Sequence, residues 1–401
     1  QQLMTFHKPM LSAHVVFGGT NIKADLRTLK PQQGAPPSLL VATPGRLNDL
    51  MYNHGCDALF ANLMTLIFDE ADQLLEMGFR PDITKILDKL RPTAATRQTL
   101  LFSATMPSDV LAVAKFAMRP EARLVDTVGE EVSTAELVEQ SATVTSMHAQ
   151  PAELFALVSQ LIEGAPHDYK VCVFFVTARL TQLYAELFNA LGVRVLEMHS
   201  RKSQPQRTRI ADEFRDGKKL VMFTSDVSAR GMDYPDVTAV VQVGLPSDKA
   251  QYIHRLGRTA RAGKAGGGFL VLADFEQFFL SQLKELPLQT RPPLPAAHAA
   301  ALAPRLAQGF ASLSPVTLGT AYQAWLGFYN SHLRKLGWSQ AQLVQKANDF
   351  SAQVLGLPSP PPLEAKTVGK MGLKGVPGLV VLKGPSGGDG GGRGGGKGGG
   401  K

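Results

Sequence analysis

Three acids close together, Asp69-Glu70-Ala71-Asp72, follow directly on the apolar run Thr65-Leu66-Ile67-Phe68. A carboxylate at the carboxyl end of a buried strand is where nucleotide hydrolases hold Mg²⁺ through water, and a neighbouring Glu can polarise an attacking water. Acidic pairs more often cap helices or solvate loops. The strand-like run ending on the acids favours the chemical reading here.

Three further strings carry reactive side chains. Ser103-Ala104-Thr105 ends the next apolar run, Thr99–Phe102, and offers two hydroxyls that could couple the acids to another part of the molecule. Alone it means little, because Ser and Thr cap helices everywhere. His254-Arg255-Leu256-Gly257-Arg258-Thr259-Ala260-Arg261-Ala262-Gly263 spaces three arginines evenly. On a helix that spacing aims Arg255, Arg258 and Arg261 in related directions. Arginines so presented can stabilise charge developing on a γ-phosphoryl group, although a solvated basic helix would read the same way. Ser225-Asp226-Val227-Ser228-Ala229-Arg230-Gly231-Met232-Asp233 follows the run Leu220–Thr224. Its Gly and two Asp suit ribose hydroxyls and a phosphate backbone, or an ordinary strand–helix loop.

These strings need strands to end on. Nearly continuous apolar runs occur at His14–Gly19, Leu39–Thr43, Thr65–Glu70 and Gln98–Ala104, then at Val171–Val176, Val193–His199, Leu220–Asp226, Ala239–Gly244 and Phe269–Ala273. Such runs are expected of parallel strands covered on both faces. Helical patterns lie between them, as in Asp82–Leu90, Glu153–Ile162, Leu180–Ala190 and Gln206–Phe214. The alternation predicts an α/β fold with two doubly wound parallel-sheet domains. A polar stretch places the linker at 128–141, between a first domain over 1–127 and a second over 142–287. A helical extension is expected over 288–365, bounded by Pro292, Pro293 and Pro295 before it and by Pro358 to Pro362 near its end.

The 401 residues are 44% hydrophobic, enough for real cores, and no run approaches the length of a membrane-spanning helix. Cys56 and Cys172 are far apart and show no metal spacing, which suits a reducing compartment. The net charge of +8 is uneven. The segment 366–401 has seven basic residues and the single acid Asp389, a charge of +6, and is expected to be a disordered basic tail ending in glycine repeats. A basic tail on a nearly neutral body suits a polyanion, or serves solubility.

In their order and spacing the strings resemble the DEAD-box ATP-dependent RNA helicases: GGT at Gly18–Thr20, TPGR at Thr43–Arg46, DEAD at Asp69–Asp72, SAT at Ser103–Thr105, SDVSARGMD at Ser225–Asp233 and HRLGRTARAG at His254–Gly263. Any one arises by chance; six in register are specific. The strings YQAWLGFY at Tyr322–Tyr329 and KTVGKMGLKGVPGL at Lys366–Leu379 resemble a plant and algal subgroup related to the mitochondrial helicases that assist intron folding.

The resemblance implies two RecA-like domains, ATP and Mg²⁺ as cofactors, and RNA as partner. Asp69 would hold Mg²⁺ through water and Glu70 would orient the attacking water. Asp72 would join Ser103, Thr105 and His254, linking hydrolysis to work on RNA. Arg258 and Arg261 would be arginine fingers, and Gly231 and Asp233 would lie against the nucleotide, Asp233 on the ribose. RNA would be held at phosphates and 2′-hydroxyls by Gly19, Thr43, Gly45 and Arg46 in one domain, and by Arg207 and Ser225 in the other, independently of base sequence. Ser225 stands where the family commonly has Thr, and Ser200 where it commonly has Gly. The subgroup points to mitochondrion or chloroplast, with nucleus or cytoplasm the alternative.

One departure is large. The family's nucleotide pocket uses a glycine-rich turn ending in Gly-Lys-Ser/Thr. Gly217-Lys218, Gly263-Lys264, Gly369-Lys370 and Gly396-Lys397 are each followed by another residue type. The first domain is therefore expected to be incomplete, with unpaired strand edges, and the chain by itself not to hydrolyse ATP. Two readings follow: a truncated ATP-dependent helicase, or a catalytically inactive RNA-binding remnant. Retention of Glu70, Arg258 and Arg261 favours the first. Finally, Tyr322, Trp325 and Tyr329 share a helical face as a base-stacking surface or, with the better odds, a packing stripe.

Overall fold

In a computed structural model, the described residues are 11–30, 35–76, 78–103, 106, 108–126, 138–226, 234–260 and 266–382. The chain forms two compact units, Gln1–Gly129 and Glu130–Lys401.

The first unit contains β1 (Ala13–Val16), α1 (Ile22–Leu29), β2 (Leu39–Ala42), α2 (Pro44–Asn53), β3 (Thr65–Phe68), α3 (Ala71–Glu76), α4 (Arg80–Lys89), β4 (Gln98–Leu101) and α5 (Ser108–Ala117). Each strand follows one of the apolar runs. β1 pairs with β2, and β3 with β4, both in parallel, and among the described residues the two pairs do not join into one sheet. Helices cover one side: Val16, Leu29 and Leu50 form one small core, and Phe68, Ile83, Leu87 and Val110 another. On the strands Val15, Val41 and Ile67 remain about half exposed, at 49%, 52% and 51%. Among the described residues each of these strand pairs therefore keeps open edges and a partly exposed face.

The second unit is built differently. Seven parallel strands run in the order β11-β5-β10-β9-β6-β8-β7. They are β5 (Glu139–Thr145), β6 (Lys170–Phe175), β7 (Val195–Met198), β8 (Leu220–Thr224), β9 (Ala239–Val243), β10 (Gly267–Ala273) and β11 (Leu288–Thr290). Every residue of β6, β8 and β9 is buried, the result of helices on both faces. Those helices include α6 (Gln150–Gly164), α7 (Ala178–Ala190), α8 (Gln204–Asp216) and α9 (Lys249–Leu256).

The later part of the chain shares this core. After β11, which adds an edge strand beside β5, come α10 (Ala296–Ala311), α11 (Pro315–Asn330), α12 (Leu333–Leu336), α13 (Gln340–Asp349) and α14 (Ala365–Lys370). Leu306, Tyr322, Trp325 and Leu343 pack in one continuous cluster with Leu154, Val173 and Phe188. Tyr322, Trp325 and Tyr329 are 0%, 3% and 4% exposed, and Trp325 stacks on Phe350 at 5.3 Å. The aromatic stripe is therefore a packing stripe with no face left for bases. The chain closes with β12 (Leu363–Glu364) pairing with β13 (Val381–Leu382). The glycine-rich residues 383–401 lie outside the described residues. Among the described residues no helix is long and apolar enough to cross a membrane.

Candidate functional site

In the first unit the register of β1 on β2 runs from Ala13↔Leu39 to Val16↔Ala42, so the two carboxyl ends lie side by side. The turn Gly18–Thr20 leaves one end and Thr43–Arg46 leaves the other, and Thr43 N donates to Val16 O at 3.1 Å. Gly18, Gly19, Thr43 and Gly45 are exposed. Gly19 sits at φ +85°, where a side chain is disfavoured. Asn21 caps α1, its Oδ1 accepting from Lys23 N at 3.0 Å, and Pro44 opens α2. Two helix amino termini thus begin beside the same pair of strand ends. Their free N–H groups and positive dipole ends suit phosphates. Arg46 is turned inward: its guanidinium donates to Asp25 Oδ2 at 3.2 Å and to Thr20 O at 2.7 Å.

The acids lie at the end of the other pair. β3 and β4 are in register from Thr65↔Gln98 to Phe68↔Leu101, and two further bonds extend the ladder, Phe102 N to Phe68 O at 2.8 Å and Ala71 N to Phe102 O at 3.0 Å. This extension carries Ser103 onto the acidic string, where its Oγ accepts from the backbone N of Asp72 at 3.2 Å. Asp72 is buried at 2% exposure, whereas Asp69 is exposed and accepts from Glu70 N at 3.0 Å. Glu70 holds φ +48°, a left-handed conformation that costs a residue with a side chain on the order of 1 kcal/mol. Asp69, Glu70, Asp72 and Ser103 are therefore brought together; Thr105 lies outside the described residues.

The second unit repeats the arrangement of neighbouring strand ends. β7 and β8 are in register from Val195↔Val221 to Met198↔Thr224. His199-Ser200 follows one and Ser225-Asp226 the other, with Ser225 N donating to Met198 O at 3.3 Å. Ser225 is 8% exposed and Ser200 is exposed. His199 is fixed on both nitrogens: Nδ1 accepts from Arg201 N at 3.2 Å, so Nε2 is the donor to Glu197 Oε1 at 2.6 Å. Burial raises the Glu197 carboxyl, but the bonds from His199 and from Lys202 at 2.9 Å outweigh it and hold the group below its ordinary value. Arg207, on α8, is partly exposed.

The arginine string does not present one face. Helix α9, capped by Asp248 on Gln251 N at 2.8 Å, ends at Leu256 and Gly257 follows. The even spacing therefore crosses a helix end. Arg255 is 1% exposed, with Nε and Nη2 donating to Asp226 Oδ1 at 2.8 and 2.7 Å, and its guanidinium lies 5.4 Å from the Phe174 ring. Arg258 is partly exposed, its Nε donating to His254 O at 3.3 Å. His254 and Arg258 are thus on one turn, and Arg255 points away into the protein. Arg261, Gly231 and Asp233 lie outside the described residues. Among the described residues no cluster of three or more His, Cys, Asp or Glu could cage a metal.

The sequence reading missed three buried acids, one of them Glu153 at 1% exposure. Asp25 is 5% exposed and Glu276 is 0% exposed. Asp25 lies in the charged string Ile22–Leu29 and Glu276 among phenylalanines, and neither position carries a pattern that marks an acid as internal.

Residues 1–113 match the DEAD/DEAH box helicase family and residues 153–263 the helicase conserved C-terminal domain. The chain is 44% identical over 379 residues to DEAD-box ATP-dependent RNA helicase 31 of Arabidopsis thaliana, covering 94% of this chain and 51% of that protein. It is 42% identical to DEAD-box ATP-dependent RNA helicase 26 of Oryza sativa subsp. japonica, covering 94% and 69%. It is also 42% identical to the mitochondrial ATP-dependent RNA helicase MSS116 of Phaeosphaeria nodorum, covering 92% and 67%. The solved structure of Mss116p bound to single-stranded RNA and AMP-PNP matches with TM-score 0.79 at 25% identity, covering 92% of this chain and 75% of that one. The folds described above are those of two RecA-like helicase domains. The chain belongs to the DEAD-box ATP-dependent RNA helicase family. It spans from about half to about two thirds of the length of the curated relatives it matches.

Proposed function

We propose that this protein is an ATP-dependent RNA helicase that grips RNA through its backbone and remodels short duplexes with ATP hydrolysis. The observation that carries the proposal is the placement of Ser103 on Asp72 at the ends of β3 and β4, which joins the acidic string to the motif after it. Asp69, exposed at a strand end, fits Mg²⁺ held through water: this ion commonly keeps its waters and takes one or two carboxylates with substrate phosphates. Mg²⁺ supplies charge neutralisation on the phosphates. Glu70 orients the water, and Arg258 with Arg261 offsets charge on the phosphoryl group. Gly231 and Asp233 lie along the nucleotide, and Asp72, Ser103, Thr105 and His254 link the two activities. Gly19, Thr43 and Gly45, with Ser225 and Arg207, meet RNA phosphates and 2′-hydroxyls. The mitochondrial relative supports a place in an organelle.

The test is RNA-stimulated phosphate release from ATP by this chain joined to a segment that supplies the family's Gly-Lys-Ser/Thr turn, with Glu70→Gln alongside. The proposal expects release that the variant abolishes while RNA binding persists. Turnover in Glu70→Gln equal to that of the joined protein without the substitution contradicts the role of Glu70. A second reading, an RNA-binding scaffold without turnover, is supported by one sequence fact: no Gly-Lys pair is followed by Ser or Thr. RNA binding without any phosphate release would favour it.

A further inference from the structure

Two exposed turns in the first unit, Gly18–Thr20 and Thr43–Arg46, belong to different strand–helix connections, and a backbone can be gripped at both only if their spacing is fixed. Main-chain pairing sets part of that spacing, through the register of β1 on β2. It ends with the bond from Thr43 N to Val16 O, before either turn has formed. Beyond it the described bonds between the turns run through the side chains of Arg46 and Asp25.

Asp25, on α1, is 5% exposed. Its Oδ2 accepts from Arg46 Nη1 at 3.2 Å, and Thr20 Oγ1 stands at 3.4 Å from the same oxygen. Its Oδ1 faces His14 Nε2 on β1 at 3.6 Å. Arg46 completes the bridge by donating through Nη2 to Thr20 O at 2.7 Å, and Thr20 Oγ1 donates to Phe17 O at 2.8 Å. The Arg46 and Asp25 side chains are 8% and 7% exposed, so the pair is largely withdrawn from water. A buried carboxylate is costly unless paired and hydrogen-bonded, and a planar guanidinium holds a carboxylate and a carbonyl at once in a rigid fork that an ammonium does not provide.

We propose that Asp25 is a positioning residue for RNA binding: through the Arg46 fork it fixes the Gly18–Thr20 turn against the Thr43–Arg46 turn. Arg46 then acts on RNA through protein geometry and not as a free cation. The inference rests on the proposed RNA-binding function. It differs from a simple phosphate contact at Arg46 in the sign of its effects. Removing the Asp25 charge would strengthen binding to a polyanion electrostatically, and would release Arg46 to meet a phosphate. Positioning predicts the reverse.

The experiment measures the affinity of the full chain for single-stranded oligouridine against salt concentration, for the unaltered chain, Asp25→Asn, Arg46→Lys and the double variant. Hydrogen exchange over α1 and α2 reports folding. The expected result is that Asp25→Asn binds roughly tenfold more weakly at about 0.1 M salt, and that the slope of log affinity on log salt falls by about 0.7 for each phosphate the protein no longer neutralises. Arg46→Lys, which keeps the charge and removes the fork, is expected to match it, and the double variant to add little. Should Asp25→Asn fail to fold, Arg46→Lys decides. Asp25→Asn binding as tightly as the unaltered chain or more tightly overturns the inference, as does Arg46→Lys binding like the unaltered chain. If the unaltered chain binds no RNA, the proposed function fails and the positioning role fails with it.

Discussion

The hydroxyl of Tyr329 donates to Glu276 Oε1 at 2.6 Å, and this bond ties the C-terminal helices to the sheet of the second unit. Leu245 N donates to the same oxygen at 2.9 Å and Ala273 N to Oε2 at 2.8 Å, so the ends of β9 and β10 meet on one carboxyl. Lys335 Nζ adds a bond to Ser247 O at 3.0 Å, in the loop that leads into α9.

Burial pushes the Glu276 carboxyl up to about 7; the three donors pull it down without prevailing, and Asp274 adds to the rise. In an unfolded chain the group titrates near about 4.3. The folded state therefore binds the extra proton between these values, and the stabilisation it gives is full below about pH 4 and lost as pH rises through about 7. The expected size is up to about 3 kcal/mol. Denaturant titrations across this range should show a fall in stability that Glu276→Gln flattens. Tyr329→Phe should cost about 2 kcal/mol at about pH 8, where the acceptor is ionised, and about 1 kcal/mol at about pH 5. Equal cost at both pH values would mean that Glu276 does not change charge between them.

The pair Arg255–Asp226 is asymmetric: the arginine side chain is 1% exposed and the aspartate 42%. Removing the aspartate strands a charge inside the protein, whereas removing the arginine leaves a carboxylate that water can solvate. Asp226→Ala should therefore cost about 3 kcal/mol or more, and Arg255→Met clearly less. Thermal or denaturant unfolding of the two variants checks the order, and a larger loss in Arg255→Met would reverse the argument.

The basic segment 366–401, expected to be a disordered tail throughout, divides in two. Val368 and Leu373 are buried at 3% and 0%, and β13 closes on β12, so residues up to Leu382 are part of the fold. A deletion that tests the charged tail must begin after Leu382. Without residues 383–401, which carry Lys383, Arg393, Lys397, Lys401 and Asp389, RNA affinity should depend less steeply on salt, by about 0.7 in log–log slope for each phosphate neutralised. An unchanged slope would mean that the tail does not touch RNA.

Nine strands announced themselves as apolar runs; in the second unit the reason is that a parallel strand covered on both faces has no polar side. β5 did not: Glu139-Gln140-Ser141-Ala142-Thr143-Val144-Thr145 reads as linker. It is held by its neighbours β10 and β11 and by Tyr252, whose hydroxyl donates to the buried Gln140 at 2.9 Å. β11, three residues between prolines, is equally silent in the sequence. Of the site, the residue types and their strand ends were legible. The inward turn of Arg255 and Arg46 was not, because the acids they meet, Asp226 and Asp25, lie 29 and 21 positions away in the chain. The expected common face of Arg255 and Arg258 failed because α9 stops at Leu256.

The most direct measurement is the affinity of the full chain for a single-stranded RNA and for the DNA of the same sequence, taken across salt concentrations. The proposed contacts from Gly19, Thr43 and Gly45 to phosphates and 2′-hydroxyls predict tighter binding to RNA at every salt concentration, with little change when the base sequence is altered. Equal affinity for the two strands, or no binding to either, would contradict the account.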